Sequence, residues 1–243
     1  MERTVGDPGE FLNNSVASRA VNIEPDMRKV RRLDIYHQKY SKLLRGWGLA
    51  GLVLLAIGVA LWYFQHQIWG SIFGVLALPV LFIASRLPQT LKGDAYRNGL
   101  LIPGIISNLN PLTITCLADV RTSDDDEDET GGIVWGVKQV VVPQLTVHPE
   151  QLGEQVPCVS LFGETDADGE IYLNFEPRPL VWGTDDNSII KQARQAIEEE
   201  EWLLLPPLAV AFDSSEKNEN GIAYFDSQLR PVALPKPADT TAK

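Results

Sequence analysis

Two stretches place carboxylates close enough together to suggest chemistry. Residues 164–170, ETDADGE, alternate oxygen-bearing side chains ahead of a glycine. This partly matches a calcium loop, whose ligands fall at positions 1, 3 and 5 with Gly at 6. With Glu164 as position 1, position 12 is Phe175, which has no carboxylate; Glu176 comes one residue late. Asp168-Gly169 is by itself a strong hairpin-turn signal, so a turn between strands is expected. Residues 123–130, SDDDEDET, line up six acids: Asp124, Asp125, Asp126, Glu127, Asp128 and Glu129. That run is a candidate partner-docking loop or divalent-cation site. Metal sites need oxygens converging from several directions, so a solvated acidic loop is the expectation.

Nucleophilic chemistry has few candidates. Cys116 and Cys158 are the only cysteines, and His148 is the only histidine after His37 and His66. Two cysteines make neither a disulfide scaffold nor a zinc site. Both sit in apolar, strand-like runs, where thiols are usually inert core groups. A Cys–His pair with His148 is conceivable, but His148 precedes Pro149 in a turn. There is no nucleophile elbow, P-loop or glycine-rich dinucleotide fingerprint. The expectation is a non-enzyme without cofactor or metal.

The elements around these residues are uneven in character. Residues 47–64 and 68–85 contain no charged side chain, and Gln65-His66-Gln67 separates them. At about 1.5 Å per residue, 18 helical residues span about 27 Å, close to a bilayer's hydrocarbon core. Trp62, Tyr63, Phe64 and Trp69 flank the polar break, as aromatic side chains do at a membrane–water interface. Two crossings joined by a tight turn are expected over 47–85. Seven Lys/Arg between residues 28 and 45 precede the first apolar run. Arg86, Lys92 and Arg97 follow the second, and the break itself has none. The positive-inside rule then puts both termini in the cytoplasm and the tip outside. Gly70 and Gly74 form a GxxxG, and Ala56 and Ala60 repeat a small-xxx-small spacing on the first helix. Such residues let helices approach closely, within the hairpin or between copies; packing within the hairpin is the simpler reading. Pro79 is expected to kink the second helix. With no ionisable residue at membrane depth, the pair does not look like a pump or a self-sufficient transporter.

Residues 1–27 read as a disordered polar tail with no signal peptide. Residues 28–46 read as a basic juxtamembrane segment, either setting orientation or lying on anionic lipid. From 98 to 208 a folded α+β domain is expected. Strands are expected at 112–120, 133–142, 156–162 and 171–175, with a short fifth at 180–182. A helix opens after residues 184–187, with Ile189, Ile190, Ala193, Ala196 and Ile197 on its apolar face. Pro206-Pro207 is expected to end any helix. Residues 209–243 read as a largely disordered tail with at most one ordered patch, 222–225. The fold class expected is a membrane α-helical hairpin plus an α+β soluble domain, a small antiparallel sheet or barrel closed by one helix.

Net charge sharpens the functional reading. The chain is −11 overall; residues 1–46 carry 9 Lys/Arg against 6 Asp/Glu, and residues 98–243 carry 9 against 25. The acidic C-terminal part lacks the positive footprint that nucleic acid requires and would be repelled from anionic lipid. Protein partners, and a possible second copy through the glycines, are the expected company besides the bilayer. In the cytoplasm both cysteines would stay reduced.

Gly93 to Val120 (GDAYRNGLLIPGIISNLNPLTITCLADV), WGVKQVVVP and EPRPLVWGT resemble a membrane-protein family of corynebacteria and related actinobacteria that has no assigned activity. The resemblance covers most of residues 30–205. It implies two membrane helices, the inner membrane and a cytoplasmic C-terminal domain, and carries over no site residues. The architecture also resembles membrane-tethered OB-fold and PH-like proteins, which scaffold and recruit. The leading expectation is an inner-membrane adaptor or accessory protein whose acidic domain binds protein partners. The alternative is a membrane-tethered sensor binding a lipid or small molecule in the β-domain.

Overall fold

In the computed structural model the described residues are 23–86, 93–122 and 132–237. The chain divides into two compact units: Asp34–Asp94, and Met1–Leu33 together with Ala95–Lys243. Each is described by itself.

The first unit is a helical hairpin. Asp34 starts α2 (Ile35–Tyr63) by accepting hydrogen bonds from the backbone N–H of Tyr36 and His37 at 2.9 and 3.0 Å, which satisfies two of the helix's orphan donors. The break at Gln65-His66 is a Schellman turn. His66 N–H donates to Leu61 O at 2.9 Å, Gln65 N–H donates to Trp62 O at 3.1 Å, and Gln65 takes the required left-handed φ of 63°. The chain then reverses into α3 (Gln67–Arg86), which contains Pro79. The seam between the helices runs through Gly51 and Gly58 on α2 and Gly70 and Ala77 on α3, all buried. A Cβ on Gly70 would stand 2.8 Å from Gly58 O and 2.9 Å from Trp62 N. Only glycine permits that approach.

The second unit is α+β. A short α1 (Met27–Leu33) is followed, after the hairpin, by α4 (Asp94–Asn98). Strands β1 (Leu100–Ile102) and β2 (Gly104–Leu109) are separated by Pro103 and belong to different sheets. Strands β3 (Leu112–Asp119), β4 (Trp135–Val141), β5 (Cys158–Phe162) and β6 (Phe175–Pro179) follow, and β7 (Ile222–Phe225) comes last. One sheet has the order β1-β5-β6 and the other β2-β3-β4-β7, with every pairing antiparallel. The sheets do not close into a barrel. Residues 180–182, expected as a strand, form a 3-10 turn that buries Trp182, whose indole N–H donates to Gln144 O at 3.2 Å.

Two helices, rather than one, follow the strands, and the second packs on β2, β3 and β4. Asp186 caps α5 (Asn187–Ala196) by accepting from Ser188 N at 2.8 Å, and Ile190, Ala193 and Ile197 are buried as their spacing predicts. The chain turns extended at Ile197 and restarts as α6 (Glu199–Ser214). Glu199, Glu200 and Glu201 therefore occupy a first turn, where the helix dipole favours negative charge. Pro206-Pro207 lies inside α6 rather than ending it. The face of Trp202, Leu205, Leu208 and Phe212 packs inward and holds the turns that the missing N–H groups weaken.

The unit also takes in segments expected as tails. Ile23 N–H donates to Tyr96 O and Asp26 N–H to Gly183 O, and Arg97 grips Glu24 with two bonds of 2.8 and 2.5 Å. Lys29 of α1 is buried and pairs with Asp185, whose carboxyl it holds below the usual carboxylate value. The basic segment expected as one piece over 28–46 is thus split at Asp34 between the two units. At the other end, β7 pairs with β4 and all four of its residues are buried. Tyr224 accepts a bond from Asn218 Nδ2 at 2.8 Å and donates to Tyr172 O at 3.3 Å; burial pushes its phenol upward.

Because Phe225 is fully buried, Phe225→Ala is expected to cost about 3–5 kcal/mol. Pulse proteolysis of the full chain in mild detergent measures this. A dispensable tail would lose almost nothing.

Candidate functional site

The hairpin's outer surface is its most distinctive chemical feature. Tyr63 is 80% exposed, Ile68 78% and Val75 65%, and the exposed row continues through Leu49, Val59 and Leu78. A helix apolar on every side belongs in a core or a bilayer. Only 11% of the most apolar 18-residue window of α2 is buried. Among the described residues, α2 is the one helix both long and apolar enough to cross a membrane; the apolar part of α3, Ile68–Phe82, is shorter. Ala56 and Ala60 face outward, so the first helix's small-residue contact is made by Gly51 and Gly58 instead. Gly70 is spent on the seam, as the intramolecular reading requires. Gly74 lies close to Gly58 yet leaves open space where its own Cβ would be. It borders a surface groove of about 450 Å³ lined also by Leu55, Val59 and Trp62.

In the α+β unit the two cysteines meet. The chain changes sheets at Gly104, where a Cβ would come 3.1 Å from both Cys116 Sγ and Cys158 Sγ. The thiols are fully buried and free, with Sγ–Sγ 3.8 Å, and Cys158 Sγ also donates to Val156 O at 3.4 Å. Burial, then the Cys116 hydrogen bond, pushes the Cys158 thiol well above its ordinary value. A nucleophilic cysteine needs the opposite shift. His148 lies elsewhere. Its Nδ1 bonds Glu154 Oε1 at 3.2 Å, while Nε2 is buried without a hydrogen-bond partner. No Cys–His pair is formed.

The carboxylate stretches resolve differently. Residues 164–170 form the expected turn: Gly169 has φ +77°. Asp166 Oδ1 accepts from Glu170 N and Ile171 N at 2.8 and 3.2 Å, so that carboxylate is occupied by backbone. Residues 124–129 lie outside the described residues. Among the described residues no group of three or more His, Cys, Asp or Glu side chains is arranged to hold a metal ion. A depression of about 300 Å³ beside Leu173, Asn218, Asn220 and Pro235 is rimmed by polar groups. Both asparagine amides already donate to Leu173 O.

The raised thiol yields a direct expectation. In the native chain at neutral pH, neither cysteine should be alkylated by iodoacetamide on the timescale that labels the denatured chain fully. Fast native labelling would contradict the buried pair.

None of the curated proteins matches the chain. A solved structure of a candidate membrane protein from Corynebacterium diphtheriae is similar at 20% identity and a TM-score of 0.43, covering 50% of this chain and 97% of that one. A family model, described as a protein of unknown function (DUF3239), matches residues 91–212. That stretch is half of the 243-residue chain, and the chain belongs to the DUF3239 family.

Proposed function

We propose that the chain is a non-catalytic inner-membrane adaptor: the hairpin anchors it, both termini are cytoplasmic, and the acidic α+β unit binds protein partners. The observation that carries this reading is the run of exposed apolar side chains over residues 47–64 and 68–82. Burying one large apolar side chain contributes about 1.5–3 kcal/mol, and the net stability of a domain is only about 5–15 kcal/mol. Facing water, that exterior gains none of this, because it is as wet as in the unfolded chain. Lipid covers it without cost. The basic residues at both ends of the hairpin and their absence from its tip orient it.

The partner side of the reading rests on charge and on chemistry withheld. Residues 98–243 carry 25 acids against 9 bases, which suits a basic protein surface and repels nucleic acid and anionic lipid. Both thiols are buried and His148 bonds Glu154 rather than either thiol, which supports a non-catalytic reading. Affinity purification of the tagged full chain in mild detergent is expected to recover the same protein partners in repeated experiments. Repeated recovery of the chain alone would overturn the adaptor reading.

A further inference from the structure

Helix α6 has two apolar faces, and the fold uses only one. Trp202, Leu205, Leu208 and Phe212 pack against the sheet of β2, β3 and β4. On the opposite side Leu203 is 68% exposed and Val210 78%, with exposed Pro206 and Pro207 between them. The spacing i, i+3, i+4, i+7 lines these four along one stripe of about 10 Å. Isolated exposed apolar residues are ordinary, but a continuous stripe on a folded helix marks an interaction surface.

Two further observations say what covers it. Pro206 and Pro207 carry no N–H, so the carbonyls of Trp202 and Leu203 lose the donors an α-helix would bring them. The second of these belongs to the stripe itself. The exposed carboxylates of Glu199 and Glu200 stand one turn before Leu203. On a period of 3.6 residues they bracket the stripe's axis. The surface therefore offers apolar contact, a backbone acceptor and two negative charges at one end.

We propose that this face of α6 docks an amphipathic helix of a partner protein, with Leu-type side chains against Leu203 and Val210 and Lys or Arg side chains toward Glu199 and Glu200. Helix-on-helix anchoring at i, i+4 and i+7 suits a stripe of this length, and the charges set orientation and on-rate. The proposal rests on the adaptor reading and names the chemistry of its partner.

The probe is an 18-residue Leu/Lys amphipathic helix carrying a fluorophore, added to the full chain in nanodiscs of zwitterionic lipid. Empty discs serve as the reference for membrane binding. Binding above the reference is expected, saturating at one peptide per chain. Leu203→Gln or Val210→Gln should weaken it about tenfold with unchanged melting. Glu199→Gln with Glu200→Gln should weaken it and flatten its salt dependence. A Leu/Glu peptide of the same pattern should not bind. Binding no greater than to empty discs, or indifferent to Leu203→Gln and Val210→Gln, overturns the proposal. So does a stripe covered by a second copy, seen as self-association that Val210→Gln abolishes, or by lipid, seen as quenching of a fluorophore at position 210 by brominated lipid. If the two glutamine variants still recover the wild-type partners in detergent, the docking face is wrong while the adaptor reading stands. If the wild type recovers none, the adaptor reading itself fails.

Discussion

The closeness with which α2 and α3 approach is set by the glycines along their seam. This constraint organises the Asp34–Asp94 unit. Gly58 and Gly70 bring the backbones together so closely that a single added Cβ would meet a carbonyl. Small residues at a helix seam permit close backbone contact of this kind. At the tip, Gln65 takes a positive φ so that Trp62 and Leu61 find donors for their terminal carbonyls. Every helix end needs such partners, and here the turn supplies them from its own backbone. Gln65 and His66 mark where the chain reverses.

The α+β unit solves a different problem, that of building a core from chain ends far apart in sequence. The family match spans residues 91–212, but the unit also uses residues 23–33 and β7. Ile23, Val30 and Leu33 are buried at one end of the chain and Ile222–Phe225 at the other. Gly104 is the pivot of the interior. It carries the chain from one sheet to the other, and the two thiols fill the space a side chain would have taken. The cysteines are small, apolar fillers, and burial opposes ionisation of Cys158.

Features written in local spacing could be read from the sequence. The apolar runs on either side of Gln65-His66-Gln67, the strands near 112–120 and 133–142, and the Asp168-Gly169 turn depend on periodicity or a short turn code. Features decided by tertiary partners could not. Strands β1 and β2 were hidden because Pro103-Gly104 divides one apolar run between two sheets. Prolines 206 and 207 looked like a stop because propensity says nothing of the packing that retains them in α6. Ala56 and Ala60 matched a small-residue pattern, yet the face a helix turns inward is chosen by its neighbour, and that neighbour meets Gly51 and Gly58. Lys29 looked like one more basic flank residue until Asp185, 156 positions away, received it.

The most direct test of the membrane account is the side of the bilayer on which the tip lies. Gln65→Cys adds an exposed thiol to a chain whose two native thiols are fully buried. In right-side-out spheroplasts, a membrane-impermeant maleimide is predicted to label Gln65→Cys without lysis and to label Thr130→Cys only after it. Labelling of Gln65→Cys only after lysis would contradict an external tip and with it the orientation of the whole chain.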